Sequence, residues 1–289
     1  MNYKLNAIKT ISKRRIFETV ISPGFYVATA AGLFLGYYLL SGFLDSVDSG
    51  GLNFSLHPVY NQIVETLSGA FGITFVEKLF SEGPFVFVLF VSFIPVFLYH
   101  AINTVFKFGF EKNVGALELL MYGPSDGTCF FLSFFIKDVL FTVIYIFTLA
   151  LFFYLSAVIN NLVLGPMFYF SLLIIFFLAV SGYSYGILAS VLSGNAATSV
   201  ALFSGIVVFF VILQIGSFAI TRDYVKNLTN VIMWFIKWIS PFFYMDIGLS
   251  AALYGNFFLL LLSILSIIII SAVLLLISHF VLKVKGVRP

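Results

Sequence analysis

The sequence predicts an all-α integral membrane protein with six transmembrane helices, and two observations carry that prediction. Six apolar runs, at residues 25–44, 85–106, 134–158, 167–190, 197–220 and 257–282, each reach the roughly 20 residues that cross a bilayer core at about 1.5 Å rise per residue. Over the 289 residues, 61% are hydrophobic and 9% charged, with a mean hydropathy of +1.11, a balance foreign to soluble domains. The 38 Phe and 15 Tyr suit lipid-facing and interfacial helix surfaces. A net charge of +3 is too small to argue for nucleic acid as a partner. Cys129 is the single cysteine, so an intrachain disulfide is excluded.

The elements follow in order. Residues 1–22 form a cytoplasmic elbow: Leu5, Ile8, Ile11, Ile16 and Val20 share about half of a helical wheel among basic residues, as in an amphipathic helix lying in the inner interface. Ser22-Pro23-Gly24 ends it, because proline breaks a helix and glycine permits a sharp bend. Residues 23–289 form the six-span domain. Its first run is too long, and lacks the small-residue cleavage site, for a removable signal peptide.

Orientation comes from the basic residues. With a cytoplasmic N-terminus, eleven of the fifteen lie inside, leaving Lys78, Arg222, Lys226 and Lys237 outside. The positive-inside rule therefore puts both termini in the cytoplasm of a multi-pass protein.

Segment 45–84 is then external, with a short helix over about 61–80 between the turns Ser49-Gly50-Gly51 and Gly83-Pro84. Segment 107–128 is cytoplasmic, and Val114, Leu117, Leu120 and Met121 can share one face of a short helix that Gly123-Pro124-Ser125 stops. An apolar face on such a helix asks for a covering partner. The links at 159–166 and 193–198 are short, so the helices they join are antiparallel neighbours. External segment 221–256 is interrupted by Lys237 and Pro241 and is too short to cross; a re-entrant helical hairpin anchored by Trp234, Trp238 and Tyr244 fits it.

The chemistry is sparse. The centres of the apolar runs lack Asp, Glu, Lys and Arg, with Lys137 and Asp138 near a cytoplasmic end where they snorkel or pair, which disfavours an ion-coupled transporter. No GxxxxGK[ST] loop occurs, so energy from ATP must arrive through another chain. Gly182-Tyr183-Ser184-Tyr185-Gly186 matches GxSxG by letter, and with His279 it offers an intramembrane serine hydrolase as the alternative function. A stripe of small residues explains the same letters: Gly182, Gly186, Ser190 and Gly194 recur every four residues, and Gly32 and Gly36 form a similar pair, as on faces where helices approach closely within or between subunits. His57, His100 and His279 make no metal-ligand spacing and read as polar interface residues. No metal or cofactor is expected in this chain.

The run Glu111-Lys112-Asn113-Val114-Gly115-Ala116-Leu117-Glu118-Leu119-Leu120, then Pro124-Ser125, then Lys137, resembles the cytoplasmic signature of the ABC-2 type transporter permeases, roughly E-x-x-x-G-T-L-E-x-L-L, a P-S pair and a Lys opening the next span. Ser22-Pro23-Gly24-Phe25-Tyr26 after the elbow, and Ile239-Ser240-Pro241 before the last span, also look like that family. Ala116 stands where Thr is usual. The resemblance implies the transmembrane subunit of an ABC transporter, an exporter by family habit, in a prokaryotic cytoplasmic membrane. It implies pairing with a second permease, identical or homologous, surrounded by lipid and seated on two ATPase subunits that hold ATP and Mg. Residues 111–122 would be the coupling helix, with Glu111 and Glu118 as charged contacts, Leu117, Leu119 and Leu120 as packing, and Gly115 and Pro124 as its brackets.

Overall fold

A computed structural model describes residues 2–48, 58–71, 73–80, 83–115, 126–220, 234 and 237–285. The described residues are helical throughout, apart from short links. The helices are α1 (Asn2–Ile21), α2 (Pro23–Asp48), α3 (Pro58–Phe71), α4 (Ile73–Phe80), α5 (Phe85–Asn113), α6 (Gly127–Ile159), α7 (Pro166–Leu192), α8 (Ala196–Ile220), α9 (Pro241–Leu253) and α10 (Phe257–Lys285). Six of them, α2, α5, α6, α7, α8 and α10, are long and apolar enough to cross a membrane.

Two helices form the centre. α5 packs on α2, α6, α7 and α8, while α7 packs on α5, α6, α8, α9 and α10. Their buried residues, among them Val88, Leu89, Val105, Ile187 and Ala189, make the core. The outer helices show apolar side chains instead, such as Phe34 and Tyr38 on α2 and Leu261, Ile269 and Phe280 on α10. That inversion is what hydrocarbon surroundings allow, since lipid tails are as apolar as leucine. Six serine hydroxyls inside the spans are satisfied within their own helix: Ser92, Ser171, Ser184, Ser190, Ser271 and Ser278 each donate to the carbonyl four residues back.

The small-residue pairs bring helices of this chain together. A side chain at Gly32 would run into the Ser92 carbonyl and the Tyr145 hydroxyl, which donates to that same carbonyl at 2.9 Å. At Gly182 it would meet the Phe97 ring at 2.6 Å. Gly36 lies against Ser92, Gly186 against Val105, and Ser190 is buried. Gly194 does not continue the stripe, because nothing lies within 4 Å of its added carbon.

Several expectations change. The third run begins at 134 by hydropathy, yet α6 begins at Gly127, because Cys129, Phe130 and Phe131 are buried and extend the helix inward. α5 likewise runs to Asn113, so residues 107–113 of segment 107–128 continue the span as helix; residues 116–125 lie outside the described ones. In segment 45–84 one expected helix is two, α3 and α4. Of the expected hairpin at 221–256, α9 is described, and most of the preceding arm lies outside the described residues.

The elbow breaks at Ser22, as Pro23 requires. The face of α1 turned to the protein mixes polar and apolar residues, with Ile8, Ile11 and Ile16 half-buried. Ser12, Arg15 and Thr19 are buried while Leu5, Phe17 and Val20 are exposed. α1 packs on α6, and the reason is Arg15: its guanidinium sits 4.1 Å from the centre of the Phe134 ring and makes a bidentate pair with Glu111. A buried cation held by a bidentate pair helps to set the rotation of the helix.

Candidate functional site

α5 links three places. At the end bearing Asn113, charged side chains tie it down on two sides. Glu111 accepts both Arg15 hydrogen bonds, and Lys107 lies 3.6 Å from Glu18. Lys112 reaches the end of α7, donating to the carbonyls of Ser193 at 2.6 Å and Val191 at 3.1 Å, where the helix dipole favours a cation. Gly115 follows with φ +73, a left-handed conformation that suits glycine as the residue closing a helix. Across segment 116–125, Asp126 pairs with Lys4 of α1, and that hydrogen bond holds the Lys4 ammonium above its usual range.

Of the residues expected to contact an ATPase, Glu111 is therefore engaged within the chain. Gly115 occupies the exit of α5. Leu117, Glu118, Leu119, Leu120 and Pro124 lie outside the described residues.

Farther along α5 is a buried ionisable cluster. Lys137 Nζ lies 2.8 Å from Asp138 Oδ1 and donates to Thr104 Oγ1 at 2.9 Å, while Thr104 donates to Asp138 Oδ2 at 2.6 Å. The three groups close a ring between α5 and α6. His100 Nδ1 is 3.4 Å from Asp138 Oδ1, and the imidazole stacks on Phe141 with centroids 5.3 Å apart. Both His100 nitrogens are buried without a hydrogen-bond partner among the described residues.

Lys137 does not snorkel, and His100 is not an interfacial residue; both are buried. The apolar run placed Lys137 near its own edge, but the helix begins ten residues before it, about 15 Å away. Ammonium and carboxylate cancel each other, the arrangement by which charges are tolerated among apolar helices. The sequence carried one overlooked signal: Phe93, Phe97, His100 and Thr104 recur at four, three and four residues, a single packing seam.

One level along that seam the surroundings become apolar. A cavity of about 430 Å³ lies between α4, α5, α7, α8 and α9. Phe87, Phe93 and Phe97 of α5 line it, with Gly182 and Tyr185 of α7 and Phe203 and Phe210 of α8. Tyr185 spends its hydroxyl on the Ile239 carbonyl at 2.7 Å. Tyr183 marks the boundary: its ring packs 5.7 Å from Phe97, and its hydroxyl bonds Thr142 at 2.7 Å, one turn beyond Asp138.

The two hydrolase candidates are not brought together. Ser184 Oγ donates to the Val180 carbonyl at 3.0 Å, and His279 Nδ1 bonds Thr128 Oγ1 at 2.7 Å. Among the described residues no group of three His, Cys, Asp or Glu could hold a metal ion. Comparison with known protein families, curated proteins and solved structures finds no match.

Proposed function

We propose that this chain is the transmembrane subunit of an ABC exporter, in which ATP hydrolysed by a separate ATPase subunit moves a substrate through a pair of such permeases. The observation that carries the reading is the course of α5. A single helix runs from the cavity wall at Phe87 to Glu111, the first residue of the segment resembling the coupling signature, and ends at Asn113 just before Gly115. α5 carries Pro95 within it, yet its unbroken course still carries displacement from one end toward the other, and a ligand shifts a two-state equilibrium only through its differential affinity for the states. ATP bound in trans acts on the spans only through such a contact.

The fixed points of α5 support this. Arg15 and Lys112 bind its end to α1 and α7, so a push on segment 116–125 moves three helices together. Both ends of the chain and segment 116–125 are cytoplasmic in this reading, following the basic residues. The cavity, apolar and at span depth, suits an amphiphilic cargo. The hydrolase alternative has weaker support, because Ser184 and His279 each bond elsewhere and general-base activation needs the two within hydrogen-bond reach.

The test is purification from native membrane in mild detergent, followed by reconstitution. An ATPase polypeptide is expected in equal molar amount, with hydrolysis that Glu118→Lys lowers by about tenfold, or roughly 1.4 kcal/mol of lost coupling, while insertion is unchanged. A chain that purifies alone, or hydrolysis indifferent to Glu118→Lys, overturns the reading.

A further inference from the structure

The apolar cavity has a charged margin. Leu79 of α4 and Met245 of α9 both line it. Their chain neighbours Lys78 and Asp246 form an ion pair at 2.6 Å, with side chains 14% and 21% exposed. α4 precedes α5 and α9 precedes α10, so the pair sits at the end of the bundle opposite Gly115. From this margin the lining of α5 descends from Phe87 to Leu98, about 16 Å along the helix.

We infer that the cavity is a lipid site: it holds one acyl chain of a zwitterionic phospholipid whose head group exchanges partners with the Lys78–Asp246 pair. Three features define that occupant. The volume of 430 Å³, at roughly 30 Å³ per water-sized group, holds on the order of 14 methylenes, the length of a fatty chain. The wall offers rings and aliphatic groups apart from the Gln214 amide, and Tyr185 turns its hydroxyl away to Ile239, so a polar solute would lose most of its hydration with little compensation. Ile94 and Leu98, at 50% and 39% exposure, line the same cavity, which gives a chain a lateral way in from the bilayer.

The head group follows from charge. The pair offers a cation to a phosphate at Lys78 and an anion to an ammonium at Asp246. An anionic head group would satisfy Lys78 and repel Asp246. The site therefore discriminates between lipid classes by its margin and retains the chain by its wall, two separable properties. It goes beyond the transporter reading, since binding needs neither nucleotide nor an ATPase.

Native mass spectrometry of the purified full chain with phosphatidylethanolamine or phosphatidylglycerol of equal chain length tests both properties. One retained phosphatidylethanolamine is expected, preferred about tenfold over phosphatidylglycerol. Ala179→Phe, which fills the cavity from α7, lowers retention about tenfold, and Val207→Trp does the same from α8 should the first variant fail to fold. Lys78→Gln/Asp246→Asn keeps the lipid and brings the preference to within about twofold. Equal retention of both lipids by the unaltered chain, or undiminished retention by a folded cavity-filled variant, overturns the inference.

Discussion

Two levels of one helix seam behave in opposite ways. Phe93 and Phe97 of α5 face an apolar cavity, whereas His100 and Thr104, the next residues of the same seam, meet Lys137 and Asp138 of α6. About 5 Å of helix separates Phe97 from His100. The cavity level leaves space among groups that need no partners. The ionic level leaves almost none, because charge inside a membrane persists only where it is closely paired. A helix carrying both is held by ion pairing at one level and borders open space at the next.

The sharpest way to break that comparison is to unpair the ionic level. Asp138→Leu leaves the Lys137 ammonium buried and uncompensated, and should cost about 3–5 kcal/mol, read as a loss of folded protein and a lower Tm in detergent. The double variant Lys137→Met/Asp138→Leu should recover most of that loss; a double variant as unstable as the single one would show that the pair is not what holds α5 to α6.

A smaller effect is expected at the cavity level. Phe97→Leu removes ring contacts with Tyr183 and Phe93 beside a space that already exists, and should cost about 1 kcal/mol. A Tm loss matching that of Asp138→Leu would erase the distinction between the levels.

The smallest effect concerns the margin. Burial raises the Tyr244 phenol above its ordinary value of 10.0, so the folded state holds that proton more tightly than the unfolded chain. Its contribution is fully present below pH 10 and is lost as pH rises through the higher folded value. Tm should be level from pH 7 to 9 and then fall, and Tyr244→Phe should soften the fall. An unchanged alkaline limb in that variant would assign the fall to other groups.

What the sequence by itself determined was the class of the protein and the positions of its breaks. Runs of about 20 apolar residues leave a chain no other way to satisfy its backbone than helices in lipid. Pro23 and Pro241 act on their own backbone, so the ends they impose at Ser22 and Ser240 are visible without any neighbour. Gly32 and Gly182 are legible for a related reason, because a missing side chain signals close approach whatever the partner is.

Tertiary structure alone decided which distant polar residues meet. His100 and Asp138 lie 38 positions apart, and their approach depends on how α5 and α6 are rotated and staggered, whereas Lys137 and Asp138 are neighbours on α6 whose pairing was open to the sequence. Arg15 and Glu111, 96 positions apart, are in the same situation as His100 and Asp138. The cavity is invisible in sequence because it is the volume that five helices fail to fill, a property of their arrangement. Hydropathy is a sum over single residues, whereas an ion pair or a void belongs to the distances between them.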